Sequence, residues 1–342
     1  MLVGHARYFG VGLRVQGPKF HPRVLFVESE SFERDLANID GATNVVTCST
    51  ELSDVQYARV ARALERWPKA AVHVDGWKAG AQDLECLRHF SDRTRISVDC
   101  FHAKSLDALR HMNPGLESLS IGSTANRRID LSVIRGFSNL RRLSVEGQTD
   151  IVRHFDCFPL LEALYLRGVG CQDFSWIERF PKLWWLWHGL CSTKSLEGLE
   201  RAANLRYLEL WLIKGLSDVS PIRGLGLLEE LKLESLPRVN RLPDLALLTR
   251  LRGMELTNMR GLRDLSPLAQ STSIEDLYIW NARHHRPEDF RCMIGHASLK
   301  FVSLALGSDR KTNAVHGLLA LPTRPPGSGL CWARGWHAVE SL

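Results

Sequence analysis

The chain has 342 residues, 44% of them hydrophobic and 24% charged, with a formal net charge of +6. These proportions are ordinary for a soluble globular protein. No apolar run approaches the ~18 residues that a membrane-spanning helix needs, so no membrane partner is expected. Near the start, Arg7, Arg14 and several glycines interrupt what a signal peptide would keep apolar, and a cytoplasmic protein is the expectation. The eight cysteines form no CxxC pair and no tight cluster, which points to free thiols in a reducing compartment rather than a disulfide framework or zinc knuckle.

Residues 1–68 read as an N-terminal cap with a helix-rich first unit. Val24–Val27 and Val45-Val46 suit short strands. Residues 52–66 place Val55, Ala58, Val60, Ala63 and Leu64 near one helical face, with Pro68 beyond the end.

From residue 69 to 306 one pattern recurs: apolar, two variable residues, apolar, one variable residue, apolar. Clear copies begin at Leu116, Leu140, Leu161, Leu183, Leu205, Leu228, Leu251, Ile274 and Leu299, and weaker ones hold Val72-His73-Val74 and Ile96-Ser97-Val98. The middle apolar residue falls at 72, 96, 119, 143, 164, 186, 208, 231, 254, 277 and 302, a step of 21 to 25 residues each time. A strand of period two buries the last two apolar residues and exposes the one between them. One copy cannot bury its apolar side alone, whereas stacked copies share a continuous core. The expectation is an α/β solenoid: a curved horseshoe with a parallel concave sheet of about eleven short strands.

The return half of each copy also repeats. Asp218-Val219-Ser220-Pro221-Ile222 matches Asp264-Leu265-Ser266-Pro267-Leu268, and Ser132 and Ser175 stand at the same place. Serine reads as an N-cap there with proline at the first helical position, and Asp156 as an equivalent cap. Apolar residues three apart, such as Ile177, Phe180 and Leu183, suit a short helical or 3₁₀ turn.

LxxLxL followed by DxSPL resembles the leucine-rich repeats of bacterial internalins and of the regulatory subunit of protein phosphatase 1. The resemblance covers roughly residues 70–306. It implies the fold, and a scaffold for binding other proteins, but names no partner. These families carry an asparagine after the strand whose side chain ties neighbouring backbones together. Here only Asn258 stands near that place, while Gln148 and Cys191 occur elsewhere, so irregular turns are expected.

Residues 307–342 read as a tail, partly disordered, with the turn-rich segment 322–329 and then Trp332 and Trp336.

In such a solenoid the variable positions of the strands form columns across the open face. Read in that way, the centre is aromatic, with Tyr165, Trp185, Trp187, Tyr207 and Trp211. The next repeats are acidic, with Glu209, Glu230, Glu234, Glu255 and Asp276, and a second pair, Tyr278 and Trp280, follows. Exposed aromatics call for a cover, and carboxylates beside them favour Lys or Arg. The expected site is therefore a concave surface for a protein or peptide carrying basic groups, centred on Trp187 and Trp211. The competing view is that the aromatics pack on one another as cross-strand neighbours. His188, at a core leucine position, reads as a hydrogen-bonded core residue.

No P-loop, GxGxxG, HExxH or GxSxG is present, so no enzyme and no cofactor is expected. His284, His285, Cys292 and His296 stand among Arg283, Arg286 and Arg291, a poor setting for a cation. Nucleic acid is the weaker alternative partner, through Arg127, Arg128, Arg141, Arg142 and Arg153 on a face other than the concave one.

Overall fold

The computed structural model describes residues 23–76 and 84–324. The expectations placed on Arg7, Arg14, Cys331, Trp332 and Trp336, and on 325–329, lie outside the described residues. The chain divides into two units at Leu161/Glu162.

The first unit is a parallel sheet of six short strands: β1 (Arg23–Val27), β2 (Thr43–Ser49), β3 (Ala71–Asp75), β4 (Arg95–Asp99), β5 (Ser118–Ile121) and β6 (Arg142–Glu146). Each pairs with the next in sequence. Helices α1 (Phe32–Ala37) and α2 (Asp54–Leu64) make the first two returns, and 3₁₀ turns make the later ones. The ladder thus reaches two strands further toward the N-terminus than the repeat spacing indicates. β1 and β2 lack LxxLxL, and full helical returns replace the regular period there. On α2 the inward face is Tyr57, Val60 and Leu64, while Val55 points outward at 70% exposure. Ser53 and Gln56 close the helix start as a reciprocal capping box.

The second unit holds seven parallel strands: β7 (Ala163–Arg167), β8 (Trp185–Gly189), β9 (Tyr207–Trp211), β10 (Glu230–Glu234), β11 (Gly253–Thr257), β12 (Asp276–Trp280) and β13 (Phe301–Leu304). Each is in register with its neighbour. Short helix α3 (Ser266–Ala269) lies in one return, and α4 (Asp309–Leu319) follows the last strand inside the segment expected to be a tail. Thirteen strands are therefore described where about eleven were expected.

The inward residues stack by type: Leu164 and Leu166, then Leu208 and Leu210, Leu231 and Leu233, Met254 and Leu256, Leu277 and Ile279, all buried. Each fully buried aliphatic side chain contributes about 2 kcal/mol. Ile177, Phe180 and Leu183, and likewise Ile222, Leu225 and Leu228, close the core from the return side.

Two local devices differ from the expectation. The serines are not the caps. The residues preceding the turns are Leu131, Phe174, Val219 and Leu265, none of which caps through its side chain. Instead the aspartate two residues before each serine accepts its backbone N–H: Asp130 from Ser132, Asp173 from Ser175, Asp218 from Ser220 and Asp264 from Ser266, at 2.8–2.9 Å. An aspartate carboxylate reaches its own backbone two residues on, which fixes the turn. Asp156 lies inside its own turn and pairs with Arg135.

The turn after each strand also needs no asparagine column. In the second unit Gly168, Leu190, Leu212, Ser235, Asn258 and Asn281 all take left-handed backbone, with φ between +50° and +68°. That conformation aims the N–H at the next repeat. Gly168 donates to Gly189, Leu190 to Trp211, Leu212 to Glu234, Ser235 to Thr257 and Asn258 to Trp280, each at 2.9 Å. A leucine in this region costs on the order of 1 kcal/mol, which the repeated backbone bond offsets.

His188 replaces a leucine in the core of β8 and is fully buried. Its Nε2 lies 2.9 Å from Thr193 Oγ1 and 3.1 Å from Cys191 Sγ, with Cys171 Sγ at 4.0 Å. It is a hydrogen-bonded core residue. Burial lowers its pKa to about 4, below the unfolded value of about 6.5. The unfolded chain then binds the extra proton first, so stability should fall as pH drops from about 6.5 to 4. His188→Leu is expected to remove part of that acid sensitivity, on the order of 3 kcal/mol across the window. Urea denaturation at pH 7 and pH 4.5 for both proteins measures it; equal slopes would assign the sensitivity to other groups.

Candidate partner-binding face

On the outward face of the second unit, register places residues of adjacent strands side by side. Trp185 stands against Tyr207, then Glu230, Gly253, Asp276 and Phe301; Tyr165 against Trp187, then Glu209, Lys232, Glu255 and Tyr278; Arg167 against Gly189, then Trp211, Glu234, Thr257 and Trp280. Neighbouring strands are about 4.8 Å apart, so planar rings in one column stack.

The aromatic residues do so. Tyr165 and Trp187 stack at 4.2 Å between centroids with 17° between planes, and Trp185 and Tyr207 at 5.2 Å with 4°. Trp187 meets Trp211 at 5.6 Å and 50°. The expectation that these rings stand exposed is corrected by this packing: Trp185 is 3% exposed, Tyr207 4% and Trp187 8%. Tyr165, Trp211 and Trp184 keep part of their surface at the edge of the cluster. Tyr278 and Trp280 form a separate pair at 6.3 Å on β12.

Gly189 makes the cluster possible. A Cβ there would come within 2.6 Å of the Trp211 carbonyl and 2.8 Å of the Trp187 ring. In its column it is a small residue between Arg167 and Trp211, but nothing in the sequence alone says that the Trp187 ring folds over it.

The acidic residues also change meaning in three dimensions. Lys232 lies among them, with its ammonium 3.1 Å from Glu209, 3.2 Å from Glu234 and 3.7 Å from Glu255. Tyr207 donates its hydroxyl to Glu209 at 2.7 Å, and Thr257 donates to Glu255 at 3.0 Å. Burial opposes the Lys232 charge, but the Glu209, Glu255 and Glu234 carboxylates overcome it and hold the pKa above the usual lysine range. Burial raises Glu255, with Lys232 pulling the other way. Four glutamates, Glu230 included, share this part of the face with one lysine. Asp276 stands apart from them and is paired with Arg324.

The histidines weighed as ligands have structural duties. His284 Nε2 bonds the Leu262 carbonyl, His285 pairs with Asp289, and His296 bonds the Leu268 carbonyl. Among the described residues no three His, Cys, Asp or Glu are grouped to hold a metal ion, and no helix is long and apolar enough to cross a membrane. Of the arginines weighed for nucleic acid, Arg142 is buried within β6 and Arg153 lies 4.0 Å from Asp150; Arg127, Arg128 and Arg141 are exposed.

Two substitutions probe the face. Gly189→Ala should force Trp187 and Trp211 apart, with a loss of about 1–3 kcal/mol and a changed near-ultraviolet circular dichroism signal; an unaltered signal would place the cluster elsewhere. Lys232→Met should leave the partly buried carboxylates without their cation and cost about 3 kcal/mol at neutral pH. Burial already raises Glu255 and Lys232 pulls it down, so without the lysine its folded pKa exceeds the unfolded one by more; the loss sets in as pH rises through about 4.5 and is relieved on acidification. Denaturation midpoints of the variant and wild type at pH 5 and 7.5 test the sign.

No family model matches the sequence, and neither does any curated protein. Solved structures do match. An internalin from Listeria monocytogenes aligns over 83% of this chain and 86% of its own, at 15% identity and a TM-score of 0.52. A leucine-rich-repeat protein from Leptospira interrogans aligns over 86% of this chain and 92% of its own, at 12% identity and a TM-score of 0.42. The likeness to the internalin agrees with the LxxLxL spacing: the fold is the leucine-rich repeat, with internalin-like repeats.

Proposed function

We propose that this chain is a non-catalytic scaffold that captures a protein or peptide with basic groups on the outward sheet face of its second unit. The observation that carries the reading is the continuity of two surfaces. A stacked aromatic block, with Tyr165, Trp184 and Trp211 partly open at its edge, borders glutamates that outnumber the lysine among them. A lysine or arginine on a partner gains charge pairing with Glu230 and Glu234 and a ring face beside them. Stacking and ion pairing hold these side chains in place beforehand, so little ordering entropy is lost on binding. Tyr165, Trp211 and the partly open glutamates would make contact; Trp185, Trp187 and Tyr207 would support them from below. No side chain of the face is assigned a catalytic role. The described cysteines are free thiols, which fits a reducing, cytoplasmic setting.

Selection of random displayed peptides on the immobilised protein tests the reading. Enriched peptides should carry Lys or Arg beside an aromatic or apolar residue. Trp211→Ala should weaken them at least tenfold, since buried aromatic anchors contribute about 2 kcal/mol or more, while its thermal midpoint reports that the fold is kept. Enrichment without basic residues, or affinity indifferent to Trp211, would sink the proposal.

A further inference from the structure

Asp276 is an acidic residue of the face that makes no ion pair with Lys232; its partner is Arg324. Its carboxylate is nearly fully buried, and on the same column its register partner is Phe301. A buried carboxylate without a counter-charge is costly. The chain supplies that charge from far along its own sequence. After α4, Ala320 turns in left-handed backbone, the Pro322 carbonyl accepts the Val302 N–H at 3.1 Å, and Arg324 comes to lie on the face. Its Nε and Nη2 donate one to each oxygen of Asp276, and the guanidinium carbon sits 4.5 Å from the centroid of the Phe301 ring.

This is a two-point contact that only a guanidinium makes in full: a planar fork on a carboxylate with an aromatic face beneath it. A lysine would keep the charge and lose the fork. The covering segment is also suited to leave. Its Pro322 has no N–H to give, so that residue holds β13 through its carbonyl alone, and Arg324 itself is the part that fills the site. Column order puts the site in line with Trp185, Tyr207 and Glu230, with side-chain-less Gly253 between Glu230 and Asp276.

We propose that Asp276 and Phe301 form an arginine-binding subsite, filled in the free protein by Arg324, and that an arginine of a bound peptide takes it by displacing Leu321–Arg324. The proposal rests on the preceding reading that this face receives a basic peptide. It adds the residue type required at one position, and a self-occupied state that competes with the partner.

The test uses full-length protein and one defined probe, a fluorescent acetyl-Ala-Leu-Pro-Thr-Arg-amide peptide that copies residues 320–324. Fluorescence anisotropy should show Arg324→Ala binding it at least tenfold more tightly than wild type. Adding Asp276→Asn to that variant should abolish the gain, and a probe ending in lysine should bind at least fivefold more weakly. Arg324→Lys keeps a cation against Asp276 and guards against a folding defect; its affinity should fall between wild type and Arg324→Ala. Equal probe affinity in wild type and both folded variants would overturn the proposal and leave Arg324 as a fixed clamp. The probe does not depend on Trp211, so Trp211→Ala should not change its binding. Selected peptides lost in Trp211→Ala while Arg324→Ala gains nothing would sink only this inference. A gain in Arg324→Ala with no basic peptides selected would sink only the preceding one.

Discussion

A parallel ladder without slippage obliges residues one repeat apart to lie side by side, about 4.8 Å from one another. In the second unit that register runs unbroken from β7 to β13. It is maintained at the strand ends by the left-handed residues whose N–H groups reach the following repeat. Both faces of the sheet inherit the constraint. Inside, leucine falls on leucine. Outside, whatever the sequence places at a variable position must meet its own counterparts in the neighbouring repeats.

The outward face shows what that does to costly side chains. Three tryptophans and two tyrosines cover one another as stacked columns, which buries most of three of them. Three glutamates close around Lys232 because its column and the adjoining one bring them there. Removing the cation from that group is therefore a different operation from removing a surface ion pair, whose effect is about 1 kcal/mol or less. The face is consequently pre-assembled, with its chemistry limited to what remains open at the margins.

His188 and Gly189 sit next to each other on β8 and illustrate the two sides of one strand. His188 points into the core and survives there through Thr193 and Cys191. Gly189 points outward and leaves room for the Trp187 ring. His188 departs from the LxxLxL consensus and Gly189 stands at the variable position just after it; each is accommodated by residues of the same or the next repeat.

The sequence by itself determined the repeat, the parallel solenoid, the inward leucines and the membership of each outward column, because a fixed period with alternating burial permits one register. Asp218 and Asp264 were visible as part of a motif, yet serine took the credit for capping, since both residue types cap and only geometry tells which oxygen reaches the N–H. β1 and β2 were legible as short strands at Val24–Val27 and Val45-Val46, but their place in the ladder was not, because helices α1 and α2 break the period. Tertiary structure alone decided that Trp185, Trp187 and Tyr207 shield each other, that Lys232 neutralises part of the acidic zone, and that Arg324 lies on Asp276. The reason is the same in each case. A column lists neighbours along the sheet, whereas ring tilt, ion-pair closure and the return of a segment 48 residues away depend on side-chain directions and on chain path, which periodicity does not encode.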